Sequence, residues 1–172
     1  MFLKKRHKNI FIFSHTMNPQ THFLLPFFIS IILMKLNVMS WKFALIAGII
    51  GVIIDIDHYI EHIIHAKSNR FSLKATWNNA IKLHRFTERS FIHHWEGALV
   101  LSLLFLIILF FNWQISLVLA IGYYSHLLLD YPFFETGKSW RIKLGDVYVT
   151  ESYSELIVDG TLLFGILCVL LI

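Results

Sequence analysis

The sequence predicts an all-α fold: a polytopic transmembrane helical bundle of about five spans, with a small hairpin on the cytoplasmic side. Three observations lead there. Of 172 residues, 56% are hydrophobic and 15% are charged, and the apolar residues come in blocks rather than in stripes at helical spacing. Residues 98–111 carry no charge on any face, which a soluble fold of this size could hardly cover. The basic residues, finally, crowd into the segments between alternate blocks.

Taken in order, the candidate spans are residues 21–38, 41–57, 98–113, 115–132 and 156–172. Each is slightly shorter than the roughly 20 residues that cross a bilayer unaided. Flanking Trp41, Lys42, Trp95, Trp113 and Tyr131 can anchor such ends, and local thinning handles the rest. Links as short as residues 39–40 and Gln114 imply two tight helical hairpins. Asp159 and Gly160 interrupt the last span near its start. Residues 1–20 read as a cytoplasmic basic leader, and 21–172 as a single membrane domain with cytoplasmic loops 58–95 and 133–155. The leader resembles the basic region of a signal peptide, but its apolar stretch is short and no small-residue cleavage site follows, so cleavage is not expected. Met17 is a candidate start.

Orientation follows from counting basic residues by side. With the N-terminus inside, thirteen Lys and Arg fall on the cytoplasmic side, and only Lys35 and Lys42 on the other. The expected location is the inner (cytoplasmic) membrane, multi-pass. A formal charge of +4 spread over such loops suits anionic lipid headgroups, and no nucleic acid partner is expected. The single Cys168 excludes a disulfide framework and a cysteine zinc site, and reads as a buried structural thiol. Loop 58–95 reads as a continued helix, with Glu61 and His62 on its solvated face, followed by a basic segment. In the other loop, residues 140–144 and 147–150 alternate apolar and polar around Gly145-Asp146, which suits a type II′ hairpin.

This topology puts almost every acid and histidine that breaks the apolar pattern at one depth. His22 opens the first span, and Asp55, Asp57 and His58 close the second. His93 and His94 precede the third, His126 and Asp130 lie in the last turns of the fourth, and Glu151 and Glu155 precede the fifth. Ionisable residues inside spans cost about 2.5–3.5 kcal/mol at a helix centre and less near its ends. The i, i+4 spacing of His126 and Asp130 puts both on one helical face, as for two ligands of one ion or for a structural hydrogen bond between helices. Asp55 and His58 also share a face. Asp57 stands roughly 200° from Asp55 on an ideal helix, so both reach one ion only if the helix ends there. Otherwise one of them orients a histidine or holds a second ion. His7, His15 and His65 read as headgroup neighbours.

These residues resemble the membrane-bound metal-dependent hydrolases of bacteria and archaea. That family's pattern runs from an early His to D-x-D-H, then H-R-G-x-T-H-S, then H-x-x-x-D. This chain has Thr21-His22, Asp55-Ile56-Asp57-His58, Glu88-Arg89-Ser90-Phe91-Ile92-His93-His94, and His126 with Asp130. Order and intervals fit over roughly residues 20 to 135. The third block departs: Glu88 stands in place of the first His, Ser90 in place of Gly, and His94 in place of the last Ser, while His84 lies near enough to replace the lost imidazole.

The resemblance implies a metal site made of His22, Asp55, Asp57, His58, His93, His126 and Asp130. Asp57 or Glu88 would serve as the catalytic base, and Arg85 or Arg89 would bind a substrate phosphate. Imidazole and carboxylate without thiolate suit zinc, with manganese or iron as alternatives. The expected function is a metal-dependent hydrolase at the cytoplasmic face, acting on a phosphoester or lipid-linked substrate. A divalent-cation transporter and a non-catalytic membrane scaffold are the alternatives.

Overall fold

Helix boundaries in this chain are set by residues that reverse or cap the backbone as much as by hydropathy. A computed structural model describes residues 18–79, 91–130, 139–144 and 147–172; the side chains of His58 and of the strands lie outside that description. Helix α1, Pro19–Lys35, opens on a proline whose missing N–H costs nothing at that position, and closes on a lysine that complements the helix dipole. Asn37 then takes a left-handed conformation (φ 59°), a state asparagine tolerates, and the chain turns into α2, Trp41–Ile53.

The second expected span is broken. Helix α2 ends at Ile53, and α3, Ile56–His65, begins after a turn at Ile54 and Asp55. A short α4, Leu73–Asn78, follows, its first turn capped by Ser72, whose Oγ accepts the Ala75 amide at 3.2 Å. His62 is not on a solvated face as the sequence suggested. It is buried between the two helices, 3.2 Å from the Asn69 carbonyl through Nε2 and 3.2 Å from Asn79 Nδ2 through Nδ1. A positive φ of 54° at Asn69 folds the connecting loop back so that its carbonyl reaches this ring. His65 stays exposed and pairs with Glu61 at 2.8 Å.

Helices α5, Trp95–Phe111, and α6, Trp113–Leu129, form the second tight hairpin. The link is Asn112, with Gln114 already inside α6. One residue ends α5 and starts α6: Asn112 is extended (φ −154°, ψ 99°), and its Oδ1 accepts the Ile115 amide at 3.1 Å. Replacing Asn112 with Ala is expected to cost about 1 kcal/mol, the usual price of a lost cap, read as a lowered thermal midpoint in detergent.

Strands β1, Ser139–Leu144, and β2, Val147–Ser152, pair antiparallel with Leu144 opposite Val147. That register is the expected hairpin; its two turn residues lie outside the described residues. Strand β2 leads directly into α7, Tyr153–Leu171.

Contacts at both ends fix the helix directions. Asn18 meets Glu155 at one end, and Lys35 Nζ donates to the Leu170 carbonyl at 3.4 Å at the other, so α1 and α7 run parallel. Gly51 meets His126 and Ala47 meets Gly122, so α2 and α6 run parallel as well. Helices α1, α5 and α7 therefore start in the layer where α2 and α6 end.

Packing relies on small residues. Ala44, Ala47, Gly48 and Gly51 make up the buried face of α2, and a Cβ on Gly122 would collide with Ile50. Close backbone approach of this kind is how helices associate where lipid offers no hydrophobic drive. The outer surface is apolar instead: Leu103, Leu106, Ile107 and Phe110 of α5 and Leu163, Phe164 and Leu167 of α7 are exposed. By length and composition α7 can cross a bilayer, while α2, α5 and α6 are apolar but shorter.

Candidate metal centre

Each ring or carboxylate of the site is delivered by a helix end. His22 lies in the first turns of α1. One turn later stands Pro26, which has no N–H to offer the His22 carbonyl. The backbone of α2 passes so close to that carbonyl that a Cβ on Gly51 would collide with its oxygen and with the Pro26 ring. Gly51 in turn presents its own carbonyl to α6, where His126 donates Nδ1–H to it at 2.8 Å. Three helices are joined at one glycine.

His93 ends a single 3-10 turn, Phe91–His93, that precedes α5. Tyr123 of α6 holds this turn by donating its hydroxyl to the Ile92 carbonyl at 2.5 Å. The side chain of His93 is fully buried, and Asp57 Oδ2 lies 3.0 Å from its Nδ1. His94, by contrast, is exposed at the start of α5. Of the two neighbouring histidines, His93 faces the site.

The remaining atoms converge. His22 and His126 are both 0% exposed and stack with centroids 4.1 Å apart. Nε2 of His126 is 3.5 Å from Asp130 Oδ2, 3.6 Å from Asp55 Oδ1 and 3.0 Å from Nε2 of His93. Nε2 of His22 is 3.5 Å from Asp130 Oδ1 and 3.9 Å from Asp55 Oδ2. Two groups emerge, His22–His126–Asp130 and Asp55–His93–His126, each with its ligand atoms within 4.8 Å of one another and with His126 common to both.

Two features of this geometry suit a divalent cation. Most of these separations exceed the roughly 2.7–3.2 Å of a hydrogen bond, but two ligands about 2.1 Å from one tetrahedral ion stand about 3.4 Å apart. The second feature is the pair of facing Nε2 atoms. The Gly51 carbonyl accepts from His126 Nδ1, and Asp57 Oδ2 lies 3.0 Å from His93 Nδ1. Held in this way, both rings turn Nε2 towards the same point, as two ligands of one cation would.

The sequence-derived set is therefore largely assembled. His22, Asp55, His93, His126 and Asp130 share one cluster. Asp57 stands behind His93, its Oδ2 3.0 Å from Nδ1, on the far side of the ring from the cluster. The turn at Ile54 and Asp55 is what lets both acids approach from one segment. His58 belongs to α3, but its side chain lies outside the described residues, as do Glu88, Arg85, Arg89 and His84. Sequence reasoning missed Gly51 as the acceptor for His126. The run of small residues along α2 was its only signal, and small residues at helical spacing mark close approach without saying to what.

The sequence model of the YdjM inner membrane protein family matches residues 17–140, a stretch that contains every residue of the cluster. No curated protein and no solved structure matches the chain.

Proposed function

The chain belongs to the YdjM inner membrane protein family, and from that premise we propose that it is a membrane-embedded metal-dependent hydrolase acting at the cytoplasmic face on a phosphoester or lipid-linked substrate. The observation that carries this reading is the pair of imidazoles, His93 and His126, whose Nε2 atoms face each other at 3.0 Å, with His126 Nδ1 held by the Gly51 carbonyl and Asp57 Oδ2 3.0 Å from His93 Nδ1. His22, Asp55 and Asp130 complete the donor set. Imidazole and carboxylate donors of this kind suit zinc, with manganese or iron as alternatives.

When bound, such an ion supplies Lewis acidity to an ester oxygen and to water. The chain's own residues do the rest. Gly51 orients His126 through its Nδ1, and Asp57 stands against Nδ1 of His93 as that ring's orienting partner. Asp55, with a side chain 19% exposed against 3% for Asp130, is the carboxylate of the cluster most open to solvent, and we assign to it the exchange of protons with water. Asp57 then acts through His93 rather than on substrate. The apolar outer faces of α5 and α7, with exposed Trp41 and Trp113 at one end and Trp95 at the other, suit a five-span placement with the cluster beneath the headgroups. The thirteen basic residues assign that end to the cytoplasm. A site at this depth meets lipid headgroups, which is why a lipid phosphate is the favoured substrate.

In zinc-loaded proteoliposomes containing phosphatidic acid, release of inorganic phosphate is expected, and Asp57→Asn should reduce it about 10- to 100-fold, the usual cost of losing a ligand's orienting partner. One observation favours a second reading, a divalent-cation carrier: the helix break at Ile54 and Asp55 resembles the interrupted helices of transporters. The same vesicles decide between them. Zinc accumulating in the lumen without phosphate release would replace the hydrolase reading with the carrier.

A further inference from the structure

Helix α7 lies outside the residues matched by the family model, but it reaches the centre through one acid. Glu155, 3% exposed, receives three donors from the start of α1. Asn18 gives it the backbone N–H and, at 3.1 Å, the side-chain amide; Thr21 gives it the hydroxyl at 3.1 Å. Asn18 is also the base of the turn that carries His22, because its carbonyl accepts the amides of Thr21 at 3.0 Å and of His22 at 3.3 Å. One turn along the same face of α7, Asp159 is buried as well.

We propose that Glu155 is a positioning residue for the metal centre: it clamps the first turn of α1 and so sets the height and rotation of the His22 ring. This rests on the metal reading given above. A carboxylate buried between helices is costly unless fully hydrogen-bonded, and an apolar side chain would pack α7 onto α1 without it. The acid does what an apolar side chain cannot. It holds α1 by directional bonds at the one end where a small shift matters, since His22 stacks on His126 at 4.1 Å and stands 3.5 Å from Asp130. A site of this kind tolerates displacements of only about 0.5 Å. The negative charge also complements the positive end of the α1 dipole.

The test uses the full chain in detergent, with the His22 imidazole signal in the NMR spectrum of metal-free protein (assigned by its loss in His22→Gln) and the zinc affinity as two readouts. Glu155→Gln is expected to move the His22 signal and to weaken zinc binding about tenfold, at unchanged saturating stoichiometry. Leu162→Ala, which opens a cavity in the same helix, is expected to lower thermal stability while leaving both readouts in place. If Glu155→Gln does not fold, Thr21→Val removes one of the three donors at nearly constant shape and should move both readouts in the same direction by less. An unmoved His22 signal overturns the proposal, as does an equal loss of affinity in Leu162→Ala. A wild-type chain that binds no zinc sinks the metal reading itself, while the His22 signal still decides the clamp.

Discussion

His126→Ala is expected to emerge from purification with no bound zinc, whereas His22→Ala and Asp55→Ala each keep part of the wild-type amount. The asymmetry follows from the layout of the cluster. His126 Nε2 belongs to both ligand groups, while His22 serves one and Asp55 the other. Elemental analysis of the three variants beside the wild type reads the result directly. Wild-type stoichiometry in His126→Ala would leave no role for the cluster as a metal site. The substitution also deprives the Gly51 carbonyl of its 2.8 Å donor in a fully buried place, which costs about 1–3 kcal/mol. Thermal unfolding of each variant is therefore measured in parallel, so that loss of metal is separated from loss of fold. In His126→Gln an amide can still reach the Gly51 carbonyl while the Nε2 ligand is gone. It should be more stable than His126→Ala and equally metal-free.

The second large effect is expected from one methyl group. In Gly51→Ala the added carbon meets the His22 carbonyl oxygen and the Pro26 ring, neither of which is the end of a flexible side chain. The α1–α2 pair must open, at a cost of about 1–3 kcal/mol for overpacking. Opening it moves the His22 ring and the Gly51 carbonyl that orients His126 together, so thermal stability and zinc affinity should fall in the same variant. Gly160→Ala supplies the contrast. A carbon there has nothing within 4 Å, and removing a glycine from the interior of α7 should stabilise by about 0.5–1 kcal/mol. Equal thermal midpoints for Gly51→Ala and wild type would show that this contact is not as close as described.

Much of this architecture could be read from the chain because the signals are one-dimensional. Apolar blocks separated by short links specify helices that must alternate in direction, and alternation alone brings His22, Asp55, His93, His126 and Asp130 to one end. The boundaries were less legible. Hydropathy placed the first span at residues 21–38, but Pro19 and Asn37 start and stop α1 earlier, because caps and turn residues decide where a helix begins and ends. The second span read as continuous up to residue 57, since nothing in the run Ile53 to Asp57 forbids a helix; the turn at Ile54 and Asp55 is a tertiary choice. His62 was misjudged for a related reason. A polar helix face predicts solvent unless another segment folds onto it, and here the Asn69 turn and Asn79 do so.

What the chain determines alone is the inventory and its layer: which helix ends carry imidazoles and carboxylates, and that opposed helices deliver them to one end. Their rotation about each helix axis, and hence which atoms meet, belongs to the packing. Whether Asp57 would touch the ion or stand behind His93, and which of His93 and His94 turns inward, depended on where Gly51, Gly122 and Tyr123 let the backbones approach. Helical periodicity specifies angles within one helix, whereas the angle between two helices comes only from the side chains that separate them.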